Sequence, residues 1–237
     1  MRLICFPYAG GSRTLYRSLS RLLPGIEICA VELPGRGTRI GEAPIDRMDR
    51  LIELLMYELH TEMSSRFAMF GHSMGAAIAF ELAARLRGKE RENLAHLFLS
   101  ACGAPGTPRH DEEVSGLDDD AFRARLRQLG GTPNEVINND ELMEVIMPML
   151  RADFTLIETY RRTPTLRTVG CDITAFAGSD DAGIPVASVG GWIERTSGRL
   201  EMHVISGSHF FLASAMPEIA HTIANSLLAD ASTTGLD

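Results

Sequence analysis

Short apolar runs alternate along the chain with longer stretches in which apolar residues recur at helical spacing. The apolar runs have the length of strands, and most are apolar almost throughout, which is typical of parallel strands buried on both faces. They cover residues 2–6, 26–33, 66–70, 96–102, 172–177 and 201–205. The helical stretches cover residues 13–23, 48–63, 76–86 and 216–228. This repeated strand–helix–strand order predicts an α/β fold whose central sheet is mostly parallel and flanked by helices.

One connection is much longer than the others. Residues 104–171 span 68 positions, whereas a complete βαβ unit needs only about 30. Two stretches within it, 117–131 and 138–162, begin with Asp or Asn at capping positions and continue as amphipathic helices. We interpret this segment as a helical lid over one end of the sheet, although a helical subdomain without a gating role would have the same pattern. Residues 1–230 are then a single domain, and 231–237 are predicted to be a disordered tail.

Composition and charge narrow the classes of function. The 237 residues carry a net charge of −8, which argues against binding nucleic acid or an anionic membrane through bulk charge. No run approaches the roughly 18 apolar residues of a membrane-spanning helix, and the N-terminus lacks the pattern of a signal peptide. The four cysteines are far apart and form no CxxC pair, which is typical of reduced thiols. These features favour a cytoplasmic protein.

A serine lies between two glycines in the stretch MFGHSMGAA, residues 69–77. The segment Gly71-His72-Ser73-Met74-Gly75 fits the G-x-S-x-G pattern, in which a strand turns sharply into a helix and exposes a strained serine. The flanking positions must then lack side chains. An ordinary glycine turn is the alternative, but the strand before this segment and the helix after it favour Ser73 as a nucleophile.

A serine hydroxyl is a weak nucleophile unless a base takes its proton. His209 follows the last predicted strand and precedes the final helix, so it is expected at the carboxyl edge of the sheet, on the same side as the serine. His72 is adjacent to the serine, but we expect its side chain to point elsewhere. The orienting acid should precede the histidine in the chain, and Asp180 and Asp181 both follow a predicted strand.

A negatively charged oxygen formed in acyl transfer needs hydrogen-bond donors. The backbone N–H of Met74, the residue after the serine, is one candidate. A loop after an early strand should supply the second, and residues 5–12, CFPYAGGS, have the glycines that let a backbone approach a ligand. A simple Gly-Gly turn is the alternative interpretation of this loop.

Taken together, these motifs resemble those of a type II thioesterase, the stand-alone α/β-hydrolase that accompanies polyketide synthases and nonribosomal peptide synthetases. The resemblance covers nearly the whole chain. It rests on ICFPYAGGS at 4–12, ELPGRGTR at 32–39, FGHSMG at 70–75, LGGTP at 129–133, AGSDD at 177–181 and GSHFFL at 207–212. It implies an α/β-hydrolase fold and a cytoplasmic enzyme, without metal or dissociable cofactor, that hydrolyses acyl thioesters on the phosphopantetheine arm of carrier proteins and so clears misprimed or stalled chains.

The resemblance also assigns roles to residues. It implies that Ser73 is the nucleophile, His209 the base and Asp181 the orienting acid, and that the backbone N–H groups of Ala9 and Met74 are the oxyanion donors. One departure is visible, because the family often has a proline directly after the acid and this chain has Ala182-Gly183-Ile184-Pro185.

Three methionines in the lid suggest a substrate-binding wall. Met143, Met147 and Met149 lie close together around Pro148, and flexible thioether side chains suit an adaptable acyl-binding surface. Packing in the core is the alternative role for these residues.

Arginines in the first part of the chain suggest a surface for an acidic carrier protein. Residues 1–50 contain eight arginines and five acidic residues. Arg36 and Arg39 lie in the loop after the second predicted strand, which should open on the same edge as Ser73, and they are expected to face carrier carboxylates. The alternative is that both are solvated or paired with nearby acids.

Two other functions remain open at this point. A medium-chain fatty-acyl thioesterase or a carboxylesterase acting on free small substrates would use the same residues, because oxygen esters and thioesters need the same machinery. A hydrolase fold without activity, serving as a binding module, is a third possibility, and the complete set of serine, histidine, acid and oxyanion loop argues against it.

Overall fold

The computed structural model describes residues 1–107, 113–162 and 166–233, with only the backbone described for 229–233. The strands of this part are β1 (Arg2–Phe6), β2 (Glu27–Ala30), β3 (Phe67–His72), β4 (Leu94–Ser100), β5 (Asp172–Gly178) and β6 (Leu200–Ile205). They form one sheet in the order β2-β1-β3-β4-β5-β6, and every neighbouring pair is parallel. The predicted α/β class with a parallel central sheet is confirmed.

Helices connect the strands and cover both faces of the sheet. They are α1 (Leu19–Leu22), α2 (Met48–Glu58), α3 (Met74–Arg85), α4 (Gly88–Asn93), α5 (Asp119–Leu129), α6 (Asn134–Ile137), α7 (Asp140–Arg162), α8 (Val186–Gly190) and α9 (Leu212–Thr233). Because parallel strands need crossover connections, the polypeptide returns to the same edge of the sheet before each new strand begins. All six strands therefore end at one edge.

Two apolar layers lie on opposite faces of the sheet, since successive side chains of a strand alternate in direction. In β1, Ile4 and Phe6 pack with α2 and α3 on one face. Leu3 and Cys5 pack with α1 and α9 on the other face. All four side chains are fully buried, which explains why the strand sequences are apolar almost throughout instead of alternating with polar residues.

Helices α5, α6 and α7 lie between β4 and β5, where the lid was predicted, and they enclose a small apolar core of their own. Phe122 of α5 and Met143 of α7 are fully buried in it. The side chain of Asp118 caps α5 by accepting the Ala121 N–H at 2.9 Å. Gly130 ends the helix with φ +76°, a left-handed conformation that glycine adopts readily. The capping residues seen in the sequence thus define the boundaries of this helix.

Two element boundaries near the N-terminus differ from those predicted. The helical stretch at 13–23 is a 3₁₀ turn over Arg13–Tyr16 followed by the short helix α1. The Ser12 hydroxyl caps that turn by accepting the Thr14 N–H at 3.4 Å. Strand β2 ends at Ala30, three residues earlier than predicted, because it pairs with β1 alone and the chain then leaves the sheet towards the Pro34-Gly35 turn.

The C-terminal boundary differs as well. Helix α9 continues to Thr233, so residues 231–233 of the segment predicted to be disordered are helical. Residues 234–237 of that segment lie outside those that the structure describes. The same holds for 108–112 and 163–165 of the predicted lid.

Membrane-spanning helices and disulfides are both absent from the part of the chain that the structure describes. Within the described ranges, none of the helices combines the length and the apolar character needed to cross a bilayer. The four cysteines, all of which fall in those ranges, form no disulfide. The cytoplasmic location remains a prediction.

Trp192 ties the segment after β5 to the end of β4, and its removal should destabilise the fold. Its ring is fully buried against Phe80, and its Nε1–H donates to the Cys102 carbonyl at 2.8 Å. Replacing Trp192 by Phe leaves that buried carbonyl without its donor, which should lower the free energy of unfolding by about 1–3 kcal/mol. The measurement is urea denaturation followed by circular dichroism, since Trp192 is the single tryptophan and fluorescence would be lost with it.

The neighbouring residue Ile193 provides the control. Its side chain is 54% exposed, so Ile193→Ala should change the free energy of unfolding by no more than about 0.5 kcal/mol. Equal stability of the Trp192→Phe variant and the unchanged protein would contradict the bracing role of the indole.

Candidate active site

Ser73 occupies a sharp turn between β3 and α3. Its backbone has φ +54° and ψ −116°, a conformation that costs a residue other than glycine about 1–3 kcal/mol. The turn requires glycine on both sides. A Cβ on Gly71 would lie far inside van der Waals distance of the Gly75 carbonyl, and a Cβ on Gly75 would clash in the same way with the Phe6 carbonyl. The Ser73 N–H donates to the Ser100 carbonyl at 2.8 Å, which fixes the turn to the end of β4.

The structure brings His209 and Asp181 next to this serine. His209 follows β6 and Asp181 follows β5, so both lie at the edge of the sheet where β3 ends. His209 Nε2 is 2.8 Å from Ser73 Oγ, and His209 Nδ1 is 2.6 Å from Asp181 Oδ2. Because an ionised carboxylate can only accept, Nδ1 carries the proton and Nε2 is left to accept the serine hydroxyl. This arrangement can remove the serine proton and hold it.

The geometry distinguishes between the two candidate acids. Asp181 is buried, and its second oxygen, Oδ1, accepts the N–H groups of Gly183 and Ile184 at 3.1 Å each. The exposed Asp180 directs its carboxylate to the Ser179 hydroxyl, at 3.0 Å. Asp181 is therefore the acid that contacts the imidazole.

The departure from the family pattern after this acid leaves the carboxylate fully supported. Ala182 stands where the family often has proline, and the two N–H groups that bond Asp181 come from the residues after it. The loop therefore holds the carboxylate without a proline at position 182.

His72 supports His209 from behind, a contact that the sequence did not reveal. His72 Nε2 is 2.9 Å from the His209 carbonyl, and Nδ1 is 2.9 Å from the Ser100 hydroxyl. The carbonyl can only accept, so Nε2 carries the proton and Nδ1 accepts from the hydroxyl. Complete burial, together with the nearby His209 imidazole, lowers the pKa of His72 to about 3. His72 is thus a neutral buried support for the backbone of His209, and its side chain points away from the serine, as predicted.

Ala9 and Met74 line the same cavity as Ser73. Met74 is the first residue of α3, where backbone N–H groups have no acceptor within the helix. Ala9 lies in a turn in which the Gly11 N–H donates to the Tyr8 carbonyl at 2.8 Å. Gly10, the third residue of this turn, has φ +78°, as a type II turn requires. Both residues whose N–H groups are predicted to stabilise an oxyanion thus border the site.

The cavity beside Ser73 has a volume of about 400 Å³. Its outer wall comes from the lid and is largely apolar, with contributions from Val114, Leu126, Leu129, Phe154 and Ile157. Arg125, Glu158 and Arg161 add charged groups to the lining. Glu158 accepts the Val114 N–H at 2.6 Å, which holds the segment before α5 against α7. The site can therefore accept an apolar chain next to the serine.

Metal ligands do not gather in this site. Within the ranges that the structure describes, no group of three or more His, Cys, Asp or Glu side chains is arranged to hold a metal ion.

The predicted methionine wall is wrong. Met143 and Met149 are buried in the lid core, Met147 is half-buried against it, and none of the three lines the cavity. They lie in the first half of α7, which packs on the other lid helices, whereas the cavity is lined from the second half by residues such as Phe154 and Ile157. Core packing, the alternative interpretation, is the role that the structure gives them.

The docking role predicted for Arg36 is wrong, because this arginine does not reach solvent. It is 4% exposed, and its guanidinium forms a two-pronged ion pair with Asp153 of α7, at 2.7 Å from Nη1 to Oδ2 and 2.6 Å from Nη2 to Oδ1. Nη1 also donates to the Gly11 carbonyl at 3.1 Å. The lid helix supplies a partner that lies 117 residues away in sequence.

Arg39 remains nearer the surface, but its charge is balanced within the protein. Its guanidinium bonds the carboxylates of Glu42 and Glu58, at 2.6–2.9 Å. These contacts raise the pKa of Arg39 above the ordinary arginine value, and the hydrogen bond to Glu42 is the largest cause. We therefore do not retain Arg39 as a docking residue, since pairing with nearby acids was the alternative.

Comparisons with known proteins show which proteins this chain resembles. Residues 1–227 match the family described as "Thioesterase domain". The gramicidin S biosynthesis protein GrsT of Aneurinibacillus migulanus is 38% identical over 213 residues, which cover 90% of this chain and 83% of that protein. The medium-chain S-acyl fatty acid synthase thioesterase of Rattus norvegicus is 31% identical over 216 residues, which cover 89% and 81%.

A solved structure is similar over almost the same length. The type II thioesterase BorB from the borrelidin biosynthetic cluster has a TM-score of 0.84 and 37% sequence identity, covering 95% of this chain and 92% of that one. The predicted resemblance to type II thioesterases is confirmed. Since the family match spans nearly the whole chain and the relatives agree with it, this chain belongs to the thioesterase domain family and is a hydrolase of the thioesterase class.

Proposed function

We propose that this thioesterase hydrolyses acyl groups from the phosphopantetheine arm of carrier proteins in polyketide or nonribosomal peptide biosynthesis, with Ser73, His209 and Asp181 as its catalytic triad. The observation that carries the proposal is the hydrogen-bonded chain from Asp181 through His209 to Ser73 at an apolar cavity. The names of the relatives support the pathway, since they include a gramicidin S biosynthesis protein and a thioesterase of the borrelidin cluster. We also propose that the enzyme works in the cytoplasm.

The first half of the reaction transfers the acyl group to the serine. Ser73 Oγ attacks the thioester carbonyl carbon while His209 Nε2 takes the hydroxyl proton. The carbonyl oxygen becomes negatively charged and accepts the backbone N–H groups of Ala9 and Met74. The carbon–sulfur bond then breaks, and His209 returns the proton to the departing thiol. An acyl-serine and a free phosphopantetheine thiol result.

The second half releases the acid. A water molecule gives its proton to His209 Nε2 and attacks the acyl-serine carbonyl, and the same backbone N–H groups stabilise the new oxyanion. The carbon–oxygen bond to Ser73 breaks, and the proton passes back to the serine oxygen. Asp181 remains ionised throughout, keeps the proton on His209 Nδ1 and stabilises the imidazolium.

The apolar lid wall gives the acyl chain a place to bind. A chain attached to Ser73 would extend along Leu126, Leu129 and Phe154, and burial of each methylene would contribute about 0.8 kcal/mol. Such contacts depend on chain length more than on any particular functional group. They suit an enzyme that removes a range of acyl groups.

The rat relative favours a second candidate, a medium-chain fatty-acyl thioesterase or a carboxylesterase that acts on free small substrates. The triad alone cannot separate the two. Hydrolysis rates over a panel of acyl-loaded carrier proteins, the matching N-acetylcysteamine thioesters and p-nitrophenyl esters would decide between them. Carrier substrates should have the highest kcat/KM, and equal values for carrier-bound and free thioesters would favour the second candidate.

The nucleophile and the base should behave as one unit. Ser73→Ala and His209→Ala should each lower kcat by several orders of magnitude, and the double variant should lose little more, because each single change already stops the same step. Kinetics with an N-acetylcysteamine thioester and labelling by a fluorophosphonate probe measure this. Additive losses, or labelling of the Ser73→Ala variant at the unchanged rate, would contradict the shared role.

The two neighbouring aspartates provide a matched pair. Asp181→Asn should reduce kcat by about 10⁴-fold, because an amide at this position can favour the wrong imidazole tautomer. Asp180→Asn should keep most of the activity, since that carboxylate bonds Ser179. Steady-state kinetics on both variants, with their thermal unfolding as a check on folding, test the assignment, and a reversed order of the losses would move the role to Asp180.

Leu129, in the cavity wall, should influence the choice of acyl chain. Leu129→Trp fills part of the cavity, so kcat/KM for long acyl chains should fall about tenfold relative to short ones, the size of effect expected from a few apolar contacts. Met147→Trp is the control, because Met147 lies in the same lid but outside the cavity lining. A panel of thioesters with increasing chain length gives the profile, and the same shift in both variants would argue for a general disturbance of the lid.

A further inference from the structure

We infer that the buried ion pair between Arg36 and Asp153 is a positioning device for the oxyanion loop. This inference rests on the proposed function, because it concerns the loop that contains Ala9. The loop follows β1, Arg36 follows β2, and Asp153 belongs to the lid helix α7. Three segments that are remote in sequence therefore meet at one buried contact.

Each member of the ion pair forms a hydrogen bond with the backbone of the loop. Asp153 Oδ2 accepts the Gly10 N–H at 2.8 Å, and Arg36 Nη1 donates to the Gly11 carbonyl at 3.1 Å. The two contacted residues directly follow Ala9 and complete its turn. The bond to Asp153 fixes the Ala9–Gly10 peptide, and so holds the backbone next to the Ala9 N–H that we propose as an oxyanion donor.

The lid helix also packs directly against the backbone of the loop. A Cβ on Gly10 would lie 2.6 Å from Leu150 Cδ2, so α7 rests directly on the backbone of the turn. Leu150 and Asp153 are three residues apart and occupy the same face of the helix. The turn is therefore covered by an apolar contact and an acceptor from one helix face.

Charge balance explains why the acid needs the arginine. The Asp153 carboxylate contacts Gly10, the residue after Ala9. Without a compensating charge it would oppose the negative charge that develops on the substrate oxygen. The guanidinium neutralises this carboxylate in a two-pronged arrangement, with both partners almost fully buried at 4% and 2% exposure. The loop thereby gains an acceptor for Gly10 without a net negative charge beside the oxyanion.

A second contact, which is partly buried, anchors α7 without reaching the loop, and it provides a control. The Tyr160 hydroxyl donates to Glu81 of α3 at 2.9 Å. Tyr160→Phe should therefore weaken the attachment of the same helix while leaving the Gly10 and Gly11 contacts in place. An effect that arises merely from loosening the lid would appear in this variant too.

The decisive variant replaces both members of the pair by apolar residues. Arg36→Met/Asp153→Leu keeps the buried volume and removes both charges, a change that proteins often tolerate without loss of stability. Its partner variant, Arg36→Met/Asp153→Asn, is also uncharged but retains an oxygen that can accept the Gly10 N–H. Each is compared with Tyr160→Phe by thermal unfolding, by kinetics with octanoyl-N-acetylcysteamine and by inhibition with octylboronic acid, which forms a tetrahedral adduct on serine.

We expect the Met/Leu variant to lose about tenfold to 100-fold in kcat, up to the lower range seen when an oxyanion donor is removed outright. KM should change less than about twofold, and the inhibition constant for octylboronic acid should rise in parallel with the fall in kcat. The Met/Asn variant should recover most of the loss, and Tyr160→Phe should keep the kcat of the unchanged protein.

Wild-type kcat in a folded Met/Leu variant would overturn the inference, as would an equal loss in Tyr160→Phe. If the Met/Leu variant does not fold, Arg36→Lys applies the same criterion, since lysine cannot form the two-pronged contact. It should lower kcat at constant KM, and unchanged kcat would overturn the inference. Ser73→Ala separates this failure from that of the proposed function, because a Ser73→Ala variant that still hydrolyses the thioester would refute the function itself.

Discussion

The close approach of two backbones at Gly75 is the constraint on which the site depends. The first turn of α3 packs so tightly on the end of β1 that a Cβ at Gly75 would clash with the Phe6 carbonyl. Strand β1 leads directly into the loop of Ala9, and helix α3 begins at Met74, directly after Ser73. The missing side chain thus brings together Ser73, Met74 and Ala9, which we propose as the nucleophile and the two oxyanion donors. The strained backbone of Ser73 is tolerated because strands β1, β3 and β4 hold the turn on both sides.

Parallel topology supplies the remaining parts of the site. The chain reaches the same edge of the sheet at the end of every strand, so residues after β3, β5 and β6 meet although 136 positions separate Ser73 from His209. The hydrogen bonds then distinguish the polar groups that we propose to react from those that support them. His72 stays neutral far below neutral pH, since its pKa is near 3. It therefore contributes a fixed dipole behind His209 and no second titrating charge.

The sequence was informative where function depends on local pattern. The continuous apolar runs predicted the parallel sheet, and the glycines around Ser73, together with the position of His209 after the last strand, predicted which side chains come together. The choice between Asp180 and Asp181 could not be made from position alone, because both follow β5 and only the turn of the loop decides which one faces the imidazole.

The two wrong predictions have a common physical cause. Arg36 was judged by its charge and its loop, and the methionines of α7 by their side-chain chemistry. The roles of all of them depend on partners that are distant in the chain. An amphipathic pattern shows that α7 has an apolar face, but it does not show that the first half packs in the lid core and the second half lines the cavity. One signal was available: Asp153 lies three residues after Leu150 and four before Ile157, so an acid occupies the apolar stripe of the helix. An acid at such a position requires a buried partner.

Helix α7 has consequences for any exchange of the lid between related enzymes. Phe154 and Ile157 of this helix line the cavity, while Asp153 and Tyr160 bond to the body of the protein. A chimera that imports a foreign lid to alter chain-length preference would replace both kinds of residue at once. Residues 154 and 157 can be drawn from the donor enzyme, whereas those at 153 and 160 have to match the recipient. Because positions 153, 157 and 160 share one helix face, the helix is best recombined residue by residue.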